Sequence, residues 1–256
     1  MKKSPRTTET FIAGIRPIEA IFNHQRRRMR ELWFAGDLTG ARGEIISRAR
    51  ASGLPVHETS QKRLSERMPD LNHQGLIARI DPVEYIEWAQ LLENPNGLIV
   101  AIDQVTDPRN LGAILRAGEA MGITGALLTS NRCARLGPVV TRISAGASEL
   151  VPVAMEPNLH RALKKAQDAG FQVVGADLDG VAPDQIALQL PTILVIGAEG
   201  KGLRRLTYKT CDAIATIRMA GTTESLNAAT AAGILVYEAS QQRRKIDLRT
   251  ESTEIS

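Results

Sequence analysis

Aromatic residues, cysteines and long apolar runs are all scarce in this sequence. Phe, Trp and Tyr supply 4% of its 256 residues, so aliphatic side chains must fill the core. The two cysteines, Cys133 and Cys211, form no C-x-x-C pair and no cluster with histidine, which argues against a zinc site. A disulfide between them has no support, and so few cysteines fit a reducing cytoplasm. We therefore expect a cytoplasmic protein without a bound metal.

Segments that would carry the chain into a membrane are also missing. Residues 1–10 are basic and polar and lack the apolar core of a secretory signal. The longest apolar runs are far shorter than the roughly 20 residues that span a bilayer. The sequence therefore predicts a protein with no membrane partner.

The fingerprints of the common nucleotide-binding folds do not occur. Lys201 is followed by Gly202, where a Walker A loop needs Ser or Thr, and Val195 stands where the first glycine of that loop belongs. The G-x-G-x-x-G pattern of dinucleotide-binding folds appears nowhere in the chain. These absences argue against a nucleotide-dependent enzyme.

Positive charge is concentrated near the N-terminus. The formal net charge is +4, but residues 1–30 hold eight Lys or Arg against two acids. Clustered arginines offer planar donors for nucleic-acid phosphates, although a solvated helix face would explain the same run. The candidate residues for binding a nucleic acid are Arg16, Arg26, Arg27, Arg28 and Arg30.

The pattern of apolar residues divides the chain into two α/β units. Residues 10–80 alternate short strand and helix patterns, and the turn-rich residues 81–96 read as a linker with a short helix. Leu98–Ile102 opens residues 97–243 with a continuous apolar run, which is typical of a strand buried in a parallel sheet. Residues 1–9 and 244–256 are polar and predict flexible tails.

Three segments of the second unit follow predicted strands, at the edge where open α/β sheets bind their ligands. Each has a simpler explanation when taken alone: a surface arginine, a tight turn and a helix cap. The three are Asn110-x-Gly112-x-x-x-Arg116, Gly197-x-Glu199-x-x-Gly202-Leu203 and Ser225-Leu226-Asn227.

Together and in this order, the three segments resemble the motifs of the TrmH (SpoU) family within the SPOUT superfamily. The resemblance covers residues 97–243 and implies a parallel α/β sheet with a deep trefoil knot, a homodimer and S-adenosylmethionine as cofactor. Gly14 and the stretch 72–75 are similar to the N-terminal domain of the family's large-subunit ribosomal RNA guanosine methyltransferases. That likeness implies a small α/β RNA-binding domain with a ribosomal-protein fold.

The resemblance also assigns roles to individual residues. It implies that Gly197, Ile217, Met219 and Leu226 contact the cofactor. The residues that it implies for catalysis are Arg116, Asn110, Glu199, Ser225 and Asn227. The chain departs from the pattern at Arg218, where many members have proline, and at Ala228-Ala229, where many have Val-Ser.

The expected function is therefore methylation of a ribose 2′-hydroxyl in RNA, with a guanosine of 23S ribosomal RNA as the implied target. Two alternatives stay open: a ribose methyltransferase acting on transfer RNA, and a non-catalytic RNA-binding or ribosome-assembly protein. Arg116 would position the substrate and stabilise the developing alkoxide, because a guanidinium is a poor base.

Overall fold

The computed structural model describes residues 10–24, 27–69 and 71–254. The strands in this part of the chain are β1 Thr10–Ala13, β2 Met29–Phe34, β3 Val56–Glu58, β4 Leu76–Ile80, β5 Leu98–Asp103, β6 Gly125–Thr129, β7 Val153–Glu156, β8 Gln172–Val181, β9 Thr192–Gly197 and β10 Ala213–Ala215. The helices are α1 Ile15–His24, α2 Gly40–Ala51, α3 Gln61–Arg67, α4 Trp88–Leu92, α5 Pro108–Ala120, α6 Pro138–Ile143, α7 Leu159–Asp168, α8 Arg205–Thr210 and α9 Ala228–Glu254. None of these helices is long and apolar enough to cross a membrane.

The chain forms two compact units. Unit 1 consists of Met1–Glu84 and Leu136–Leu150, and unit 2 consists of Tyr85–Arg135 and Val151–Ser256. The stretch 136–150, which contains α6, therefore belongs to unit 1 although its neighbours in the chain belong to unit 2. Nothing in the sequence pattern indicated that this stretch belongs to unit 1.

Unit 1 is built on a four-stranded mixed sheet with the strand order β1-β4-β2-β3. Side chains alternate across β2, so Leu32 and Phe34 lie in the core while Glu31 and Trp33 lie on the opposite face. Helices α1 and α2 cover the first face, where Ile18, Ile45 and other aliphatic side chains complete a core. The predicted α/β character of residues 10–80 agrees with this architecture.

Unit 2 contains a six-stranded sheet with the order β10-β8-β9-β5-β6-β7, and each neighbouring pair is parallel. All six residues of β5 are buried, as the continuous apolar run predicts for a central parallel strand. The parallel-sheet prediction is therefore confirmed. The trefoil knot stays a prediction of the sequence.

Three boundaries differ from the prediction. The apolar residues of Phe171–Ala176 predict a strand that ends at Ala176, whereas β8 continues five residues further, to Val181. Helix α9 continues to Glu254, where the sequence predicted a tail from residue 244. The predicted linker is folded into unit 2 from Tyr85 onward, because Trp88 of α4 is buried and donates from Nε1 to the Ala162 carbonyl at 3.1 Å.

Candidate active site

A pocket of about 340 Å³ opens where β8, β9 and β10 end. Parallel strands place their carboxyl ends at one edge, so loops far apart in sequence meet there. Six of the residues singled out from the sequence line this pocket, namely Gly197, Glu199, Ile217, Met219, Ser225 and Leu226. All four predicted cofactor-contact residues are therefore in one wall.

The glycines of the loop after β9 shape the floor of this pocket. Ala198 and Gly202 form an antiparallel bridge, so the chain turns back on itself directly after Gly197. A Cβ at Gly197 would lie 2.4 Å from both the carbonyl carbon and the oxygen of Gly202, a distance that no real Cβ tolerates. Gly202 has a φ of +61°, in the left-handed region that favours glycine. The spacing Gly197…Gly202 is thus required by the fold of the loop.

A buried carboxylate fixes the far end of the same loop. Asp103, the last residue of β5, is fully buried and accepts hydrogen bonds from the backbone N–H of Arg204 at 3.1 Å and from Arg204 Nε at 2.6 Å. The guanidinium compensates a charge that would otherwise be costly to bury. This contact holds the loop against the end of the central strand, and the sequence analysis did not identify it.

Three predicted catalytic residues from different elements form one hydrogen-bonded cluster beside the pocket. Asn227 Nδ2 donates to Asn110 Oδ1 at 2.9 Å and to Glu199 Oε2 at 3.2 Å. Asn110 Nδ2 also donates to Glu199 Oε2, at 3.4 Å. The cluster joins the first turn of α5, the loop after β9 and the start of α9. It therefore couples all three sequence motifs.

The same Asn227 side chain begins the last helix. Its Oδ1 accepts from the backbone N–H groups of Ala229 at 2.9 Å and Thr230 at 3.3 Å, which makes it the N-cap of α9. Because the cap fixes the amide oxygen, the amide nitrogen must point toward Asn110 and Glu199. The Asn227 side chain therefore caps the helix and also belongs to the cluster, two roles that were alternatives on the sequence alone.

Arg116 does not join this cluster within the chain. It lies on α5 six residues after Asn110, about 240° around the helix axis from it. Its side chain is exposed, makes no hydrogen bond or ion pair with the described residues and is not in the pocket wall. The structure thus brings together every predicted catalytic residue except this one.

The sequence analysis missed part of the pocket. Asp177 and Leu178 line it because β8 runs beyond its predicted end, and Asp177 Oδ2 accepts from Leu203 N at 3.5 Å. The rule that ligands bind at strand ends would have pointed to them if β8 had been given its full length. Burial raises the pKa of the Cys211 thiol to about 12, so this nearby thiol is neutral and is no nucleophile.

One predicted RNA-binding arginine proves to be structural. The Arg27 side chain is buried and pairs with Glu149: its Nε donates to Oε2 at 2.8 Å and its Nη2 donates to Oε1. Thr141 Oγ1 donates to the same carboxylate at 3.0 Å, and Arg27 Nη1 donates to the Asp81 carbonyl at 3.4 Å. The prediction that Arg27 contacts RNA is wrong, because its guanidinium is buried and already paired with the Glu149 carboxylate.

The other predicted arginines lie at the surface of unit 1 or outside the described residues. Arg28 is exposed, and Arg16, also exposed, pairs with Glu19 at 3.1 Å. Arg30 forms two hydrogen bonds to the Asp81 carboxylate at 2.6 and 2.9 Å, and these bonds raise its pKa. Arg26 lies outside the described residues. A phosphate could therefore reach the exposed side chains of Arg16, Arg28 and Arg30.

Comparison with known families gives two adjoining matches. Residues 97–237 match the SpoU rRNA Methylase family, and residues 11–86 match the model described as RNA 2′-O ribose methyltransferase substrate binding. The first match contains the three motifs and the pocket. The second contains the sheet of unit 1. No group of His, Cys, Asp or Glu in the described part of the chain could hold a metal ion.

Individual relatives agree with these matches. The chain is 36% identical to the 23S rRNA (guanosine-2′-O-)-methyltransferase RlmB of Pseudomonas aeruginosa over 92% of its own length and 98% of that protein. It is 43% identical to an uncharacterised tRNA/rRNA methyltransferase of Mycobacterium ulcerans over 206 residues, and it spans 66% of that protein's length. Its structure is similar to the SpoU methyltransferase AviRb of Streptomyces viridochromogenes in complex with AdoMet, with a TM-score of 0.80, 27% identity and coverage of 94% and 92% of the two chains.

Proposed function

The chain belongs to the SpoU rRNA methylase family, and from this membership we propose that it methylates a ribose 2′-hydroxyl of RNA with S-adenosylmethionine as methyl donor. The observation that carries the proposal is the hydrogen-bonded cluster of Asn110, Glu199 and Asn227 beside the glycine-walled pocket. A family fold retained only for RNA binding would need neither the cluster nor the pocket.

The pocket suits S-adenosylmethionine in size and chemistry. Its volume of about 340 Å³ lies within the range of roughly 300–1,000 Å³ that is usual for small-molecule sites. Gly197 and Gly202 bring bare backbone to the pocket, and a side chain on Gly197 would collide with the backbone of Gly202, while Ile217, Met219 and Leu226 offer apolar contacts. When bound, this cofactor supplies an activated methyl group on a sulfonium.

The polar residues around the pocket would act on the RNA. Glu199 is held by two amides, so its free carboxylate oxygen has a fixed direction and can orient a ribose hydroxyl. Ser225 lines the pocket and can donate a hydrogen bond to the same ribose. We assign Arg116 to the substrate phosphate and to the charge that develops on the 2′-oxygen, because a guanidinium donates in a bidentate fork and does not act as a base.

Large-subunit ribosomal RNA is the proposed substrate, and a guanosine the proposed target. The proposal is supported by the substrate-binding match of residues 11–86 and by the similarity to the P. aeruginosa enzyme along nearly the full chain. Because ribosomal RNA is made and matured there, we propose that the protein acts in the cytoplasm.

We also propose that the protein is a homodimer. Ile234 and Tyr237 lie one turn apart on α9, and their exposed fractions of 39% and 50% are high for such large apolar side chains. Helix α9 starts at the cluster, so a second copy on this surface would lie near the pocket. A partner there could also bring its groups to Arg116, which makes no hydrogen bond or ion pair with the described residues of its own chain.

The test is transfer of labelled methyl groups from S-adenosylmethionine to 23S ribosomal RNA, with the product mapped by a ribose-methylation stop assay. We expect one methylated guanosine with the wild type. We expect a rate at least roughly a hundredfold lower with Arg116→Ala, as for other groups that stabilise a developing oxyanion. Arg161→Ala, an exposed arginine of α7, is the matched control and should behave as wild type. Transfer to transfer RNA alone would overturn the ribosomal target, and cofactor binding without any transfer would overturn the enzymatic assignment.

A further inference from the structure

One face of the sheet in unit 1 is only partly covered. The face that carries Leu32 and Phe34 is packed against α1 and α2, while Leu64 of α3, together with Met68 and Leu71, covers part of the opposite face. The side chains of Trp33 and His57 stand on this second face beside α3. They are direct neighbours across the parallel pair of β2 and β3.

These neighbours form one aromatic surface. The rings of Trp33 and His57 are stacked, with centroids 5.6 Å apart and planes inclined by 26°. The guanidinium of Arg67 lies 4.1 Å from the centroid of the Trp33 ring and 5.4 Å from that of Phe11. About half of the His57 side chain is exposed, so the surface is open to solvent.

A cavity of about 220 Å³ lies against this surface. The rings of Trp33 and His57 border it on the sheet side, and Arg63 and Arg67 border it on the side of α3. Such a volume is below the range usual for drug-sized ligands, roughly 300–1,000 Å³, and suits a smaller flat group. Thr59 adds a hydroxyl to the wall.

The charges favour a ligand with a flat base and a phosphate. Arg63 and Arg67 face the cavity against a single carboxylate, that of Glu58. Glu31, the nearby acid on the same face, is paired with Arg79 and lies 3.8 Å from His57 Nε2, while Arg63 and Arg67 form no ion pair with the residues that the structure describes. Aromatic rings and guanidinium planes are the surfaces on which unpaired RNA bases stack. A carboxylate repels phosphate, so the base rather than the phosphate fits beside Glu58.

We propose that this cavity, the Trp33 pocket, binds one unpaired nucleotide of the RNA substrate, with its base against Trp33 and His57 and its phosphate at Arg63 and Arg67. The proposal rests on the proposed function, because it takes RNA to be the substrate. It adds to unit 1 a second RNA contact that is separate from Arg16, Arg28 and Arg30. The residues of this contact were not indicated by the charge pattern of the sequence.

The fluorescence of Trp33 gives a direct test. The chain has two tryptophans, and Trp88 is buried, so a full-length Trp88→Phe protein reports on Trp33 alone. The probe is a mixed-sequence hexaribonucleotide, used single-stranded and as a duplex. We expect saturable quenching of Trp33 by the single strand and none by the duplex, in which the bases are already stacked.

Two variants separate stacking from charge, with binding of 23S ribosomal RNA as the readout. Trp33→Leu should weaken binding roughly five- to a hundredfold without changing its salt dependence, because stacking releases no counterions. Arg67→Met should weaken binding and also reduce the slope of log affinity against log salt by about 1. Arg48→Met is the matched control, since Arg48 also lies over an aromatic ring, Phe22 at 5.2 Å, but does not line the Trp33 pocket. It should bind within threefold of wild type.

Methyl transfer to 23S ribosomal RNA is measured with the same proteins, so that the two proposals can fail separately. Raised KM with unchanged kcat in Trp33→Leu and Arg67→Met, together with quenching, supports the pocket. Normal KM in both variants, or equal quenching by the duplex, overturns the pocket and leaves the methyltransferase in place. Quenching by the single strand without methyl transfer by the wild type overturns the enzyme and leaves an RNA-binding pocket.

Discussion

At the residue scale, Asn227 shows how one amide can serve both the fold and the active site. Its oxygen caps α9 and its nitrogen donates to Asn110 and Glu199. Serine is about as good a helix cap as asparagine, but its short hydroxyl has no amide nitrogen to reach the cluster. The two uses of the residue can therefore be separated by substitution.

We predict that Asn227→Ser keeps the free energy of unfolding within about 0.5 kcal/mol of wild type but loses most methyl transfer, because the cap survives and the cluster does not. Asn227→Ala should lose the same activity and also about 1 kcal/mol of stability. Urea unfolding and initial rates of methylation measure the two effects. Equal stability in both variants would mean that the cap contributes nothing, and full activity in Asn227→Ser would remove the cluster from the mechanism.

The sequence could predict the members of this cluster but not their contacts. Asn110, Glu199 and Asn227 belong to motifs whose order resembles a family, and that order carries no distances. The arginine run 26–30 illustrates the opposite case. Arg27 and Arg28 are chemically identical, yet one is buried against Glu149 and the other is exposed. Only the position of Glu149, 122 residues away, decides between them.

At the scale of elements, Arg243 fastens α9 to two loops. Its guanidinium donates to four backbone carbonyls, those of Leu188 at 3.1 Å, Asn96 at 2.6 Å, Gly97 at 3.1 Å and Leu190 at 2.6 Å. Burial lowers the pKa of Arg243, and the carbonyl oxygens replace the water that it loses. The loops before β5 and β9 are thereby tied to one helix.

We predict that Arg243→Met lowers the free energy of unfolding by about 2–3 kcal/mol. Methionine fills the space of the stem but leaves the carbonyls of Leu188 and Asn96 without a donor, whereas those of Gly97 and Leu190 still accept from Thr192. Each buried unsatisfied group costs roughly 1–3 kcal/mol, partly relieved here by water. Urea unfolding measures the change. The neighbouring exposed Arg244→Met is the control and should stay within about 0.5 kcal/mol of wild type. Equal stability of the two variants would show that the four bonds add nothing beyond solvation.

Elements with strong local signals could be predicted, and those stabilised by distant contacts could not. The run Leu98–Ile102 and the capped start of α5 carry their own apolar pattern and turn residues. The end of β8 is polar and exposed, and it is a strand because β10 pairs with it as far as Val181. Likewise, α6 is a short helix whose place in unit 1 depends on Arg27 and α1, which no local pattern reveals.

At the scale of the whole molecule, the stretch 136–150 completes unit 1. Its Glu149 carboxylate accepts hydrogen bonds from Arg27 and Thr141. Gly146, at φ +94°, approaches α1 so closely that a Cβ would lie 2.8 Å from the Cβ of Ala20. Unit 1 therefore depends on residues that follow the first segment of unit 2, Tyr85–Arg135, in the sequence.

We predict that Arg27→Met lowers the free energy of unfolding by about 3–5 kcal/mol, because it leaves the Glu149 carboxylate buried without a counterion. The double variant Arg27→Met, Glu149→Leu should recover much of that loss, since no buried charge remains. Chemical unfolding checks both, with the exposed Arg28→Met as control. A double variant no more stable than Arg27→Met would mean that the pair holds the stretch in place by shape as well as by charge.

Because residues 136–150 belong to unit 1, they also limit how segments can be exchanged between such proteins. The chain passes between the units at 84/85, 135/136 and 150/151, so no single cut releases a complete N-terminal module. A chimera that takes its first 84 residues from a relative keeps the host's own stretch 136–150. The two parts of unit 1 are then compatible only if the host has a carboxylate opposite Arg27 of the inserted segment. Transplanting the RNA preference of one family member into another would therefore need two grafts, one at the terminus and one in the middle of the catalytic sequence.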